Sequence, residues 1–256
     1  RSPIAAASKP GVPAVPMGPT GTGLPVPQHA TTTVIRGPSA VNAVVDSAAH
    51  WRAAGNRILF IGHFRDAEQA RGVQSAIEIL SDQVLWVLDQ GPDLPVSRKQ
   101  DRCYGEGVMG FLDECAAGDA HTNWLRESDY LLVADKPDAM QAFSAALQTR
   151  FQALLKPALK AVAAVTSPMQ CMMKEVCAQC LCRHVDPTTG ETSKFVFSCF
   201  NQFQPLFDLD LANLQARQGQ NSVQEKMSNA WLSFVSGSLL LTQTDRPLSL
   251  PDTAPH

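Results

Sequence analysis

The sequence has no apolar run long enough to cross a bilayer. Its longest apolar stretches, such as 161–165 and 239–241, fall far short of the roughly 20 residues that a spanning helix needs. It also has no excess of positive charge, because 21 Lys and Arg residues stand against 24 Asp and Glu residues. No block of Lys or Arg is interleaved with aromatic residues. We therefore expect neither a membrane span nor a nucleic acid partner.

Signals of secretion are also lacking. The chain begins at Arg1 and shows no basic segment followed by an apolar stretch, so we expect no secretory signal. Its seven cysteines are an odd number, which argues against a disulfide scaffold and favours a reducing compartment. We therefore predict a cytoplasmic protein. With 256 residues, of which 45% are hydrophobic, the chain is long enough to bury a full core.

The composition and the hydrophobic pattern of the sequence change near residue 31. Eight of the 18 prolines lie within residues 1–38, and residues 1–30 read as a proline-rich arm or linker. Buried-strand patterns then alternate with helical patterns as far as residue 166. This alternation predicts an α/β domain over residues 31–166, built on a doubly wound parallel sheet.

Ligands of such sheets bind beyond the carboxyl ends of the strands. Gly37, Ser39 and Ala40 follow the first predicted strand and would face a pyrophosphate at a helix N-terminus. His63 and Arg65 follow the second strand, where they would meet an adenosine or its phosphate. The first loop has one glycine where dinucleotide loops have two or three, so a structural turn fits it equally well. A solvated loop is the alternative for His63 and Arg65.

Four cysteines in the second half of the chain carry the clearest chemical signal. Cys171, Cys177 and Cys180 are spaced C-x5-C-x2-C, and the turn-forming residues 186–190 predict a hairpin that returns Cys199 to Cys180. Four thiolates suit an iron-sulfur cluster or a zinc ion. The spacing differs by one residue from the plant-type iron-sulfur pattern C-x4-C-x2-C. The remaining interpretation is that these are buried free cysteines acting as small hydrophobes.

The other cysteines are predicted not to bind metal. Cys182 would point to the opposite side of an extended strand from Cys180, and Cys103 and Cys115 are isolated. We assign residues 167–210 to a small cluster-binding subdomain with a β-hairpin. Residues 211–256 are predicted to form a helical tail with a disordered end.

The order of these parts resembles the ferredoxin-NADP reductase-like electron-transfer subunits, exemplified by the iron-sulfur subunit of type B dihydroorotate dehydrogenase. The resemblance covers roughly residues 17–210. It rests on Gly18-Pro19-Thr20-Gly21, the α/β region, Ser167-Pro168-Met169-Gln170-Cys171, the C-x5-C-x2-C run and Phe197-Ser198-Cys199-Phe200. It implies an FAD-binding barrel, a nicotinamide-binding α/β domain and a C-terminal [2Fe-2S] cluster.

Three departures from that family change what is expected. Sixteen residues precede residue 17, where the family has its barrel, so we expect FAD on a partner chain. The glycine-rich loop is replaced by Arg36-Gly37-Pro38-Ser39-Ala40 and the usual Cys-Gly-Pro by Asp135-Lys136-Pro137, which predicts weakened or lost NAD(P) binding.

The leading prediction is an electron-transfer subunit. Its [2Fe-2S] cluster, on Cys171, Cys177, Cys180 and Cys199, would relay electrons between a flavin or NAD(P)H centre and a partner oxidoreductase subunit. The resemblance names a glutamate-synthase-small-subunit-like flavoprotein as one such partner. The alternatives are a structural zinc module that docks a complex and an active NAD(P)H-oxidising reductase module.

Overall fold

A seven-stranded sheet forms the centre of the fold, and six of its strands run parallel. The structure is a computed structural model, and it describes residues 21–37, 48–117, 124–165 and 175–242. In chain order the strands are β1 (Thr31–Arg36), β2 (Arg57–Phe64), β3 (Gln83–Leu88), β4 (Arg102–Tyr104), β5 (Tyr130–Ala134), β6 (Lys160–Ala164), β7 (Leu181–Val185), β8 (Thr192–Phe197) and β9 (Phe203–Pro205). The large sheet has the order β4-β3-β2-β1-β5-β6-β9, and β7 and β8 form a separate two-stranded sheet.

Helices cover both faces of the large sheet. They are α1 (Ala67–Arg71), α2 (Gln74–Leu80), α3 (Gly107–Ala117), α4 (Trp124–Glu127), α5 (Pro137–Gln148) and α6 (Leu211–Thr242), and residues 48–53 are also helical. Residues 67–80 form two helices, because Val73, with φ of −126° and ψ of −2°, lies outside the helical region.

Alternate residues of the central strands enter two separate apolar layers. In β2, Leu59 and Ile61 pack against α3 and α5 on one face, while Ile58 and Phe60 pack against Trp51 and α1 on the other. A strand buried on both faces needs apolar residues throughout, as the sequence of β2 shows. The predicted α/β fold with a parallel sheet is thereby confirmed.

The strand order reverses at β1, which lies between β2 and β5. From β1 the chain adds β2, β3 and β4 on one side and then β5 and β6 on the other, and in such sheets ligands bind beyond the carboxyl ends of the strands at this reversal. The carboxyl ends of β1, β2 and β5 lie side by side at this edge. It is where the candidate nucleotide residues were predicted to lie.

The hairpin of β7 and β8 is attached to the segment that follows β9. Val185 donates a backbone hydrogen bond to the carbonyl of Asp208 at 2.7 Å, and the Arg183 guanidinium pairs with the Asp210 carboxylate through Nε at 2.6 Å. The buried His184 imidazole contacts Gln204, with 2.6 Å between Nε2 and Oε1. These contacts hold the β7 strand, near the turn of the hairpin, against that segment. The assignment of residues 167–210 to a cluster subdomain remains a prediction.

The chain divides into two compact units, of which the larger is Thr20–Ala216. In that unit the first turn of α6 packs Leu211 and Leu214 into the core. The other unit comprises Arg1–Pro19 and Arg217–His256, and its described part is the remainder of α6. That helix continues through Gly219 and exposes Met227, Trp231 and Phe234. Among the described helices, none combines the length and apolarity needed to span a bilayer.

Candidate functional site

Three of the four predicted metal ligands lie close together at the open end of the β7–β8 hairpin. Cys180 immediately precedes β7, and Cys199 lies in the turn after β8. Both side chains are fully buried (0% exposed). Their thiols lie within hydrogen-bonding reach of each other, and Cys177 is near enough to act electrostatically on Cys180. Cys171, the fourth predicted ligand, lies outside the described residues.

The hairpin itself brings Cys180 and Cys199 together. Leu181 is opposite Phe197 in the antiparallel register, so the register places Ser198 opposite Cys180, with Cys199 next to it. The backbone N–H of Ser198 donates to the carbonyl of Cys180 at 2.9 Å, which extends the ladder beyond the last paired strand residues. The turn-forming residues 186–190 therefore bring the thiols of Cys180 and Cys199 side by side, because a hairpin pairs the residues on either side of its turn.

Burial and the neighbouring thiols make the Cys180 thiol harder to ionise. Burial raises the pKa of the Cys180 thiol to about 11, and the neighbouring Cys199 and Cys177 contribute to the rise. A bound cation reverses this effect, because coordination to a metal deprotonates a thiol outright. Cys180 and Cys199 are thus two adjacent sulfur donors of the kind that a soft cation takes up as thiolates, and Cys177 lies nearby.

The donor set consists of sulfur only. Within the described part of the chain, no three Cys, His, Asp or Glu side chains are arranged so that they hold a metal ion by themselves. Cys177, Cys180 and Cys199 therefore do not form a metal site by themselves, and the predicted fourth ligand, Cys171, is outside the described residues. Sulfur donors without carboxylate or imidazole fit an iron-sulfur cluster or zinc better than a hard cation such as Mg²⁺.

The backbone around Cys177 has an unusual conformation. Glu175 and Ala178 both have φ of 56°, in the left-handed region that non-glycine residues rarely adopt. Each such residue costs about 1–2 kcal/mol, so its surroundings must compensate. The chain thus changes direction at Glu175 and at Ala178, on either side of Cys177.

The turn that carries Cys199 is held by the start of the described chain. Thr22 donates to the Phe200 carbonyl from its backbone N–H at 2.8 Å and from its hydroxyl at 3.1 Å. Gly21 has φ of +83°, and a Cβ there would lie 3.2 Å from the same carbonyl oxygen. Glycine is required at this position on both grounds. Part of the Gly18–Gly21 motif therefore supports the cysteine turn.

Cys182 and Cys103 lie in other surroundings. Cys182 is buried among the apolar residues of the main core, and its thiol donates to the Cys180 carbonyl at 3.6 Å. Cys103 lies in β4, where its sulfur accepts the Leu94 N–H at 3.2 Å and burial raises the pKa of its thiol. The side chain of Cys115 is not described.

A second polar cluster lies at the carboxyl edge of the large sheet. His63 near the end of β2 lies between two carboxylates, with its Nε2 2.7 Å from Asp89 Oδ1 and its Nδ1 3.1 Å from Asp135 Oδ2. Asp89 follows β3 and Asp135 follows β5. Each of the three residues thus comes from a different strand end, and the parallel sheet brings them together.

The charges in this cluster depend on one another. The hydrogen bond to Asp135 is the main cause that raises the pKa of His63 to about 9, and Asp89 adds to the rise. Nearby, burial lowers the pKa of Arg36 to about 10, although the negative charge of Asp135 opposes that effect. His63 is therefore protonated at neutral pH and holds the two carboxylates together.

Asp135 also closes the approach to Gly37. A Cβ added at Gly37 would lie 2.4 Å from Asp135 Oδ1, so only glycine leaves room for this carboxylate. The same oxygen accepts the Lys136 backbone N–H at 2.8 Å, which fixes its position. A phosphate approaching Gly37 from this side meets a carboxylate instead of a free N–H group. Ser39 and Ala40, predicted with Gly37 to face a pyrophosphate, lie outside the described residues.

The side chain of Arg65 pairs with the neighbouring Asp66 and not with the His63 cluster. Its exposed side chain donates from Nε to Asp66 Oδ2 at 2.8 Å, and Asp66 in turn caps α1 by accepting the Gln69 N–H at 3.0 Å. The contacts described for Arg65 do not join it to His63 or Gly37. His63 and Gly37 are thus brought together through Asp135, whereas Arg65 is paired with its own loop.

Beside His63 lies a cavity of about 240 Å³ between the sheet, α3 and α5. Its polar rim includes the carboxylates of Asp89, Glu106 and Asp135, and its floor is apolar. It is lined by Ile35, His63, Asp89, Glu106, Gly107, Val108, Met109, Val133, Asp135, Ala139, Met140, Ala142 and Phe143. Each of the three carboxylates would repel a phosphate group placed beside it, and the His63 imidazolium offsets part of this negative charge.

Comparisons of the sequence with known proteins do not assign it to a family. No family model matches the sequence. An uncharacterised protein of Rickettsia prowazekii (strain Madrid E) is 45% identical over 65 residues, which are 25% of this chain and 8% of that protein. The chain therefore spans a small part of that relative's length.

A solved structure of an NADH-dependent reduced ferredoxin-NADP oxidoreductase, described for flavin-based electron bifurcation, superposes with a TM-score of 0.63. It is 15% identical, and the match covers 86% of this chain and 67% of that chain. The chain has a ferredoxin-NADP reductase-like α/β fold.

Proposed function

We propose that this chain is the electron-transfer subunit of an oxidoreductase complex and that Cys171, Cys177, Cys180 and Cys199 hold a [2Fe-2S] cluster. The observation that supports the proposal most is the burial of two thiols in contact, beside a third, at one end of a hairpin. The likeness of the fold to a ferredoxin-NADP oxidoreductase agrees with an electron-transfer role.

When bound, such a cluster gains and loses single electrons. The chain's own residues would hold it, lose protons from their thiols and limit its access to water. Cys180 and Cys199 are buried, whereas Cys177 is partly exposed and its neighbour Val176 is 77% exposed. Phe200, next to Cys199, is 46% exposed. One side of the site thus lies near the surface, where electrons can pass to a partner without an acid, base or nucleophile from this chain.

The flavin belongs, in this proposal, to a partner chain. The sequence resemblance points to a flavoprotein subunit, including the glutamate-synthase-small-subunit-like type, and FAD would be bound there. A cytoplasmic location accords with the odd number of cysteines and with thiols that stay reduced. Electrons would then pass between that flavin and the sulfur site of this chain.

Loading of the cluster tests the proposal directly. After anaerobic reconstitution with iron and sulfide, we expect about two iron atoms per chain, a visible charge-transfer spectrum and a paramagnetic signal on reduction. Reconstitution with zinc alone is the comparison, since zinc fits the same four thiolates. A colourless protein that retains one zinc ion per chain, and no iron, would show a structural zinc module instead.

NAD(P) is not part of the proposed reaction of this chain. We expect a calorimetric titration of the isolated protein with NADH to show no saturable binding. The reason is that the carboxylates of Asp135 and Asp89 repel the diphosphate of NADH. The Asp135→Asn variant removes one of these charges and is expected to bind NADH more tightly than the wild type does. Micromolar binding to the wild-type chain would contradict this and favour the NAD(P)H-oxidising alternative.

A further inference from the structure

Ser198 carries a buried hydroxyl group that has no hydrogen-bond partner. The residue is 2% exposed, and its Oγ is one of the buried side-chain oxygens left unpaired within the described chain. Buried hydroxyl groups are nearly always paired, because losing their hydrogen bonds to water is costly. An unpaired one indicates either a group absent from the polypeptide, such as a ligand, or an ordered water.

The position of Ser198 favours a ligand. It lies between Phe197 and Cys199, and its backbone N–H is bonded to the carbonyl of Cys180. Its main chain is therefore fixed opposite Cys180 and next to Cys199, the two residues whose buried thiols the proposed cluster needs. A serine hydroxyl can donate one hydrogen bond and is free to rotate toward an acceptor. Sulfur atoms bound to iron are negatively charged acceptors.

We propose that the Ser198 hydroxyl donates a hydrogen bond to a sulfur atom of the bound cluster and thereby raises its reduction potential. Reduction adds one electron and makes the sulfur atoms more negative. A donor near them therefore stabilises the reduced state more than the oxidised state. This inference rests on the proposed function and assigns Ser198 a positioning and tuning role, not a role as a metal ligand.

Ser198→Ala is the variant that tests this role. We expect the reconstituted full-length variant to load iron as the wild type does but to have a lower midpoint potential in a spectroelectrochemical titration. At a fixed potential, we expect the ratio of reduced to oxidised protein to fall roughly tenfold. For a one-electron couple this corresponds to a midpoint potential that is lower by about 59 mV. Ser198→Thr keeps a hydroxyl and should restore a potential close to that of the wild type.

Thr32→Val is the matched control. Thr32 is also fully buried with an unpaired hydroxyl, but it lies in β1 of the large sheet and not in the hairpin. Its replacement should leave the potential unchanged. A Ser198→Ala protein with full iron content and an unchanged potential would overturn the inference and assign the hydroxyl to a buried water. A wild-type protein that takes up no iron would overturn the proposed function, and this inference with it.

Discussion

Cys199→Ala and Cys180→Ala should each abolish iron loading, so that the reconstituted proteins stay colourless. These two thiols are buried in contact at the open end of the hairpin. Removal of one ligand from a four-thiolate centre exposes iron to water and weakens binding of the whole group. Iron and sulfide analysis, with the visible spectrum, measures the loss. Cys177→Ala and Cys171→Ala are expected to behave in the same way.

Cys182→Ala and Cys103→Ala are the matched controls for these variants. Both remove a sulfur from the same fold, yet Cys182 is packed in the apolar core and Cys103 bonds to Leu94 in β4. They should load iron as the wild type does, with a small loss of stability for Cys182→Ala, about 1 kcal/mol. Loss of the spectrum in Cys182→Ala alone, with the spectrum kept in Cys199→Ala, would show that the ligands were assigned wrongly.

The central strands could be predicted because burial on both faces leaves a direct mark on the sequence. Residues 58–61 and 130–134 are apolar throughout, and the structure places both segments in the middle of the sheet. The strands β4 and β9 were not predicted. They have three residues each and are edge strands, so neither length nor an alternating pattern distinguishes them from loops.

The candidate sites differ in how far the sequence could predict them. The approach of Cys180 and Cys199 follows from one turn, because a hairpin joins residues that are near in sequence. The cluster of His63, Asp89 and Asp135 depends on the order of three strands, which local patterns do not give. A signal was present, since each of these residues lies at or just after the end of a buried strand. His63 was predicted to meet a nucleotide, whereas the structure pairs it with carboxylates.

The His63 cluster should make the stability of the protein depend on pH. The pKa of His63 is raised from 6.5 to about 9 in the folded protein, chiefly by the hydrogen bond to Asp135. A raised pKa means that the folded state holds the proton more tightly than the unfolded state does. The stabilisation is therefore complete below pH 6.5 and is lost as the pH rises through 9. At about 1.4 kcal/mol for each pKa unit, it amounts to no more than about 3 kcal/mol for this partly exposed side chain.

Equilibrium unfolding in urea between pH 6 and pH 10 measures this stabilisation. We expect the free energy of unfolding of the wild type to fall between pH 6.5 and 9 relative to that of His63→Gln, with the two curves meeting above that range. Asp135→Asn should flatten the curve as well, because it removes the main cause of the shift. His50→Gln, at an exposed helical histidine, should keep the fall seen in the wild type. Parallel curves for the wild type and His63→Gln would show that the imidazolium does not hold these strand ends together, since only a proton bound more tightly in the folded state makes the two proteins diverge with pH.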